Sequence, residues 1–171
     1  QFLLIMDGSP TYREVRYYHS HSVQREVQCG IGHLQLCPDY RSSSIGFPES
    51  PGEVILRSHV FTNGVRNQNA PLCTHFAFLD EFKNHLVWDF ILTYPIKYRD
   101  LCRNAAIIIT AWDSFDRFMG GTEIKFFDER NCLRQGLQKL KFLNADEWRE
   151  HVRKTDEARC MGLPQPSLLQ R

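Results

Sequence analysis

Long hydrophobic runs are missing from this sequence. Its early apolar stretch, Phe2–Met6, is far short of the roughly 20 residues that span a bilayer, and neither a signal peptide nor a membrane helix is legible. Neither sign of charge is in excess, with 21 Lys and Arg against 20 Asp and Glu, so no net field draws the chain to nucleic acid or acidic lipid. The six cysteines, Cys29, Cys37, Cys73, Cys102, Cys132 and Cys160, form no C-x-x-C pair. That spacing argues against a zinc knuckle and a thioredoxin-like motif. Reduced, mostly buried thiols are expected, with a secreted disulfide framework as the other reading. There is no G-x-x-x-x-G-K-[ST] loop and no H-R-D or D-F-G signature, so the chain offers no visible means of holding ATP and magnesium.

Period-two patterning fills the middle of the 171 residues. In 53–61, Val54, Leu56, Ser58 and Val60 alternate with Ile55, Arg57, His59 and Phe61, as a strand requires. Thr62-Asn63-Gly64 reads as a turn, because Asn-Gly accepts positive φ readily. Residues 72–79 resume the pattern. In 85–92, Leu86, Trp88, Phe90 and Leu92 take one face and Val87, Asp89 and Ile91 the other. Residues 105–112 are nearly all apolar and predict a central strand covered on both faces. Segments 121–127 and 137–142 supply two more strands, and Val27, Cys29 and Ile31 mark a first one, while 38–52, rich in Ser and Pro, is a loop. About seven strands with no helix-length pattern between them predict an all-β fold, an antiparallel β-sandwich.

The character changes at Asn144. It caps a charged helix over 145–161, with Asp146 and Glu147 in the first turn and Glu147 at the capping-box position. The apolar stripe is thin, chiefly Trp148 and Val152, so the helix reads as solvated or as docking on something outside the chain. Residues 1–18 read as an N-terminal arm, 19–144 as the sandwich and 162–171 as a disordered tail. The opening Gln1, where an initiator methionine would stand, reads as the mark of a fragment.

Candidate chemistry is sparse. Cys29-Gly-Ile-Gly-His33 lacks a third glycine and a following helix, so it presents no amides to a pyrophosphate. His19-Ser-His21 lacks further ligands for a metal, and neither His59 nor His75 has a sequence neighbour that suggests a triad. Asp113 and Asp116 end a central strand as calcium ligands often do, yet calcium needs six to eight oxygens and the opposing loop offers only asparagines. Turn capping by Asp113 and surface placement of Asp116 are expected instead. Tyr12-Arg-Glu-Val-Arg-Tyr-Tyr18 interleaves aromatics with arginine at too low a charge for nucleic acid. No catalytic, cofactor or metal residue is assigned.

One ordered set of motifs remains: residues 92–105 (LTYPIKYRDLCRNA), Ile109-Thr-Ala-Trp-Asp113, Gly120-Gly-Thr122, Leu133-Arg-Gln-Gly136 and Leu140-Lys-Phe142. In sequence and spacing, over about 53–144, it resembles the C2 domain of class III phosphatidylinositol 3-kinase. Cys102 stands where that family usually has proline, the loop 114–119 is shorter, and no closing strand follows the helix, which leaves an open edge and predicts poor solubility.

The resemblance implies a C2-type sandwich with a C-terminal charged helix, acting as a scaffold in a lipid kinase whose helical and kinase domains lie outside this chain. It implies a protein-kinase-like regulatory subunit and a beclin-type subunit as partners. It also implies a cytoplasmic location, peripheral on endosomal or autophagic membranes, and no nucleic acid. Trp148, Val152, Arg149 and Arg153 are the candidate partner contacts. A free-standing membrane-binding C2 module is the alternative, and an unrelated β-sandwich adaptor would leave the ordered motifs unexplained.

Overall fold

A computed structural model of the chain describes residues 2–6, 24–35, 53–67, 70–80 and 85–161. The His19-Ser-His21 pair, the Tyr12–Tyr18 segment, the loop 38–52 and the tail 162–171 lie outside or almost wholly outside them. Among the described residues there are eleven strands and one long helix: β1 (Phe2–Met6), β2 (Glu26–Gln35), β3 (Glu53–Thr62), β4 (Val65–Arg66), β5 (Leu72–Cys73), β6 (Ala77–Asp80), β7 (His85–Lys97), β8 (Ala106–Asp113), β9 (Phe118–Lys125), β10 (Gly136–Leu140), β11 (Leu143–Asn144) and α1 (Ala145–Met161). Every pairing is antiparallel. One layer runs β10-β1-β2-β7 and the other β3-β8-β9-β11, with β6 bonded to both β7 and β3. This is the expected sandwich.

The core lies where the inward faces meet. On β3 the buried residues are Val54, Leu56, Ser58 and Val60, and on β7 they are Leu86, Trp88, Leu92 and Tyr94. Alternation of apolar residues therefore set the faces, since a one-residue slip would turn each row outward. Ser58 is polar in the middle of its row because its hydroxyl meets Tyr94 Oη at 2.6 Å across the core and donates to the Ile108 carbonyl at 3.3 Å. A buried hydroxyl with partners avoids the cost of an unpaired one. The β3–β4 turn carries positive φ at Asn63 (51°) and Gly64 (79°), as its residues predict.

Several boundaries differ from the expectations. The single strand at 72–79 is two, β5 and β6, because the Thr74 hydroxyl intervenes in the ladder and accepts from the Leu56 amide at 3.1 Å. Strand β7 continues to Lys97 and contains Pro95. Proline fits there because the register runs from Val27–Tyr94 to Glu26–Lys97, which loops extra β7 residues out of the ladder where no donor is required. The strand at 137–142 ends at Leu140, after which the chain changes layers and β11 pairs with β9. The hydroxyl of Thr122 holds this crossing by donating to the Lys141 carbonyl at 2.9 Å.

Residues 1–18 read as an arm, but Phe2–Met6 belongs to the sheet, paired with β10 on one side and β2 on the other. β1 thus lies between β2 and β10, and β10 has one strand partner among the described residues. Strand β8 is central, between β3 and β9, but only its inward face is fully covered: Ile107, Ile109 and Ala111 are buried while Ile108, Thr110 and Trp112 are half-exposed. The reason is the position of α1, which packs on β9 and β11 and leaves the outer face of β8 uncovered.

Candidate partner-binding surface

Helix α1 starts where its sequence says it should. Asn144 Oδ1 accepts from the amides of Asp146 (3.1 Å) and Glu147 (2.9 Å), and Glu147 Oε2 accepts from the Asn144 amide (3.1 Å). This capping box satisfies donors that have no intrahelical partner. It also fixes where the helix leaves β11, and so which face meets the sheet.

That face is Trp148, His151 and Thr155, at i, i+3 and i+7, all at most 9% exposed. The indole of Trp148 lies against Gly121: a Cβ there would sit 3.1 Å from the ring and 3.1 Å from the Ile109 carbonyl oxygen. Gly120 has φ +147°, and a Cβ on it would collide with the Leu143 carbonyl oxygen. The Gly-Gly step is therefore the seat of the helix, since only glycine permits this approach of backbone and ring. The two polar members of the face are satisfied on burial. Thr155 Oγ1 donates to the His151 carbonyl at 2.8 Å, and His151 Nε2 lies 3.2 Å from Glu123 Oε2.

The reading of α1 as solvated or docked outside the chain is thereby corrected. Its stripe looked thin because two of its three docking residues are polar, and their partners lie elsewhere in the fold. Of the four candidate contact residues, Trp148 is largely buried against the chain's own sheet and lines the groove described below. Val152 stands at the rim, 39% exposed. Arg149 and Arg153 point outward, paired along the helix with Asp146 (2.7 Å) and Glu150 (2.6 Å).

Between α1 and the outer face of β8 lies an open groove of about 610 Å³. Ile108 and Thr110 line it, flanked by Trp112 and Phe61 on one side and Val152 on the other. Its polar atoms are largely engaged within the chain. Trp112 Nε1 donates to Thr110 Oγ1 at 2.9 Å, and Thr110 Oγ1 donates to the Arg57 carbonyl at 3.1 Å. Arg57 stacks over Trp112 at 4.7 Å and pairs with Asp116. In the wall, His59 Nδ1 is buried and has no hydrogen-bond partner among the described residues. Burial first, and the charge of Arg66 second, hold its imidazole below the ordinary value. Such a groove can receive apolar side chains.

The acidic pair at the end of β8 is where the sequence places it. Asp113 is buried and accepts from the amides of Phe115 and Arg117, both at 2.9 Å, and from Arg117 Nε at 2.6 Å. Burial pushes its carboxyl up, but these donors together outweigh that and hold it below the ordinary range. Asp116 is exposed and bonded to Arg57. With Asp113 committed to its own turn, no group of metal-ligating residues assembles among the described residues. Cys29-Gly-Ile-Gly-His33 lies within β2. Four described thiols are free, but only Cys29 is buried, while Cys73 and Cys132 are exposed, so the expectation of mostly buried thiols does not hold for them. No described helix is long and apolar enough to cross a membrane.

Comparison with known proteins yields matches of two kinds. A family model described as phosphoinositide 3-kinase C2 matches residues 53–163. A phosphatidylinositol 3-kinase of Schizosaccharomyces pombe is 35% identical over 66 residues, covering 35% of this chain and 8% of that kinase. The chain thus corresponds to a small part of the length of the curated relative it matches.

Proposed function

Because the chain belongs to the phosphoinositide 3-kinase C2 family, we propose that it is the C2 scaffold portion of a class III phosphatidylinositol 3-kinase, supporting complex assembly and membrane recruitment. The parent enzyme would transfer phosphate from ATP to the inositol 3-hydroxyl of phosphatidylinositol, in endosomal sorting and autophagy. This chain contributes a surface to that work. The observation that carries the reading is the apolar groove beside a helix already seated on its own sheet: α1 is held by Trp148 and Gly121 while Val152, Ile108 and Trp112 remain accessible beside it. Apolar positions that survive folding mark contact sites when they cluster. The occupant is a segment of the protein-kinase-like or beclin-type regulatory subunit, with Arg149 and Arg153 at the polar rim.

The test is capture of each regulatory subunit by the purified chain and by Val152→Asp. A charge placed at the rim should reduce capture at least ten-fold while thermal stability stays within a few degrees. Capture of neither subunit by the unaltered chain, or undiminished capture by Val152→Asp, would remove the groove from the reading.

A further inference from the structure

Helix α1 packs on β9 and β11, in one layer of the sandwich, and no described α-helix packs on the other layer, β10-β1-β2-β7. The registers of that layer line up one row across all four strands: Leu137 beside Ile5, Ile5 beside Gly30, and Gly30 beside Ile91. The row belongs to the outer face, because Cys29 and Ile31 on β2 and Leu92 on β7, the chain neighbours of Gly30 and Ile91, are buried in the core. Its ends are apolar and open. Leu137 is 55% exposed and Ile91 50%, and Gly30 adds no side chain between them.

Two residues along each strand, Lys139 lies beside Leu3 at the β10 margin, and Asp89 stands at the β7 margin. Both are exposed and take part in no ion pair among the described residues. The apolar strip continues along β7 to Val87, 41% exposed. On its other side it ends at a polar pair, where Gln28 Nε2 donates to Thr93 Oγ1 at 3.3 Å.

The order of strands and charges gives this face a symmetry of its own. A half-turn about an axis along the strands, midway between β1 and β2, lays a second copy face to face on the first, with β10 over its β7 and β1 over its β2. Each row then meets itself reversed. Leu137 opposes Ile91 of the second copy and Lys139 opposes its Asp89, and the two-fold makes each contact twice. A two-fold interface needs such a self-complementary patch, and strands kept nearly parallel across it are one of the two ways sheets pack.

We propose that this face is a dimer interface, β10, β1, β2 and β7 packing on the same strands of a second copy, with Lys139–Asp89 ion pairs at both margins. Four strands about 4.8 Å apart and five residues at about 3.4 Å make a face of about 19 by 17 Å. That is at the small end of specific interfaces, so the dimer is weak, with a micromolar dissociation constant. The inference goes beyond the scaffold reading. Its face lies on the layer away from the groove, so the dimer stands or falls independently of subunit capture.

Sedimentation equilibrium of the purified chain is the test. The mass should rise from that of one chain, 20.1 kDa, to that of two across the micromolar range, and stop there. Ile91→Asp should leave single chains throughout, because each dimer would bury two unpaired carboxylates in an apolar row. Lys139→Glu sets like charges against each other at both margins and should raise the dissociation constant at least about ten-fold. Adding Asp89→Asn removes that repulsion and should recover most of the loss; asparagine also suits the backbone there, where φ is 42°. Circular dichroism checks that each variant folds, and Leu137→Asp attacks the same contact from the other margin should Ile91→Asp unfold. The mass of one chain still at about 1 mM, growth beyond two chains, or no recovery with Asp89→Asn would each overturn the proposal. So would association indifferent to Ile91→Asp and Lys139→Glu, the result expected of pairing along the open edge of β10.

Discussion

Replacing Gly121 by alanine puts one methyl group between three atoms that are already close. The new Cβ would lie 3.1 Å from the Ile109 carbonyl oxygen and 3.1 and 3.2 Å from two ring atoms of Trp148. The carbonyl belongs to the central strand β8 and is held by its ladder, so it cannot retreat. The indole can retreat only by lifting α1. Overpacking of this kind costs about 1–3 kcal/mol, against which the reduced freedom of the unfolded alanine chain returns about 0.4–1 kcal/mol. A net loss of about 1–2 kcal/mol, at a urea slope of about 2 kcal/mol/M, lowers the unfolding midpoint by about 0.5–1 M. Trp148→Ala alone should cost about 3–5 kcal/mol, as for other buried large aromatics.

The double variant is the decisive measurement. Once the ring is gone, only the clash with the Ile109 carbonyl remains, so the two losses should sum to less than their separate values by about 1 kcal/mol. Far-UV circular dichroism follows all four proteins without depending on Trp148 fluorescence. An unchanged midpoint for Gly121→Ala, or strict additivity with Trp148→Ala, would refute the claim that this glycine exists to seat the helix.

Gly120→Ala should be more damaging than Gly121→Ala, because it adds positive-φ strain of about 1–3 kcal/mol to a collision with the Leu143 carbonyl; urea midpoints rank the two. Asn144→Ala removes the acceptor for two helix amides and should cost about 1 kcal/mol, read as a fall in melting temperature of a few degrees. Tyr94→Phe deletes one partner of a buried hydroxyl pair and should cost about 1–2 kcal/mol by urea unfolding. The folded Asp113 carboxyl titrates below its unfolded value, so its contribution is full above the ordinary carboxylate range and is lost as pH falls through the lower folded value. Stability below about pH 4 should therefore fall less in Asp113→Asn than in the unaltered chain. Adding calcium should leave the melting temperature of the unaltered chain where it is, because the oxygens of Asp113 are already bonded.

What the sequence could reveal followed the range over which its signals act. The faces of β3 and β7, the Asn63-Gly64 turn, the Asn144 cap and the self-contained turn at Asp113 depend on residues a few positions apart, and each is where its pattern puts it. The seat of α1 depends on pairs far apart, Gly121 with Trp148 and Glu123 with His151, and His151 and Thr155 gave no apolar signal at all. The Gly-Gly step was visible as a motif, but its purpose needed the indole in place. Charge behaved in the same way. Summed along the chain it is close to nothing, and only the strand registers show that Lys139 and Asp89 stand at opposite margins of one face.

The place of β1 has a consequence for the order in which the molecule assembles. Phe2 pairs with Leu34 on one side and with Leu140 on the other, so β1 is made long before β10, its second partner. Pairings between distant segments are slow to close. Until β10 arrives, the flank of β1 away from β2 presents an open hydrogen-bonding edge on a growing chain, which is when strands recruit wrong neighbours. A nascent chain stalled before residue 136 should thus be the species that aggregates or calls on chaperones, and release past Leu140 should end that exposure.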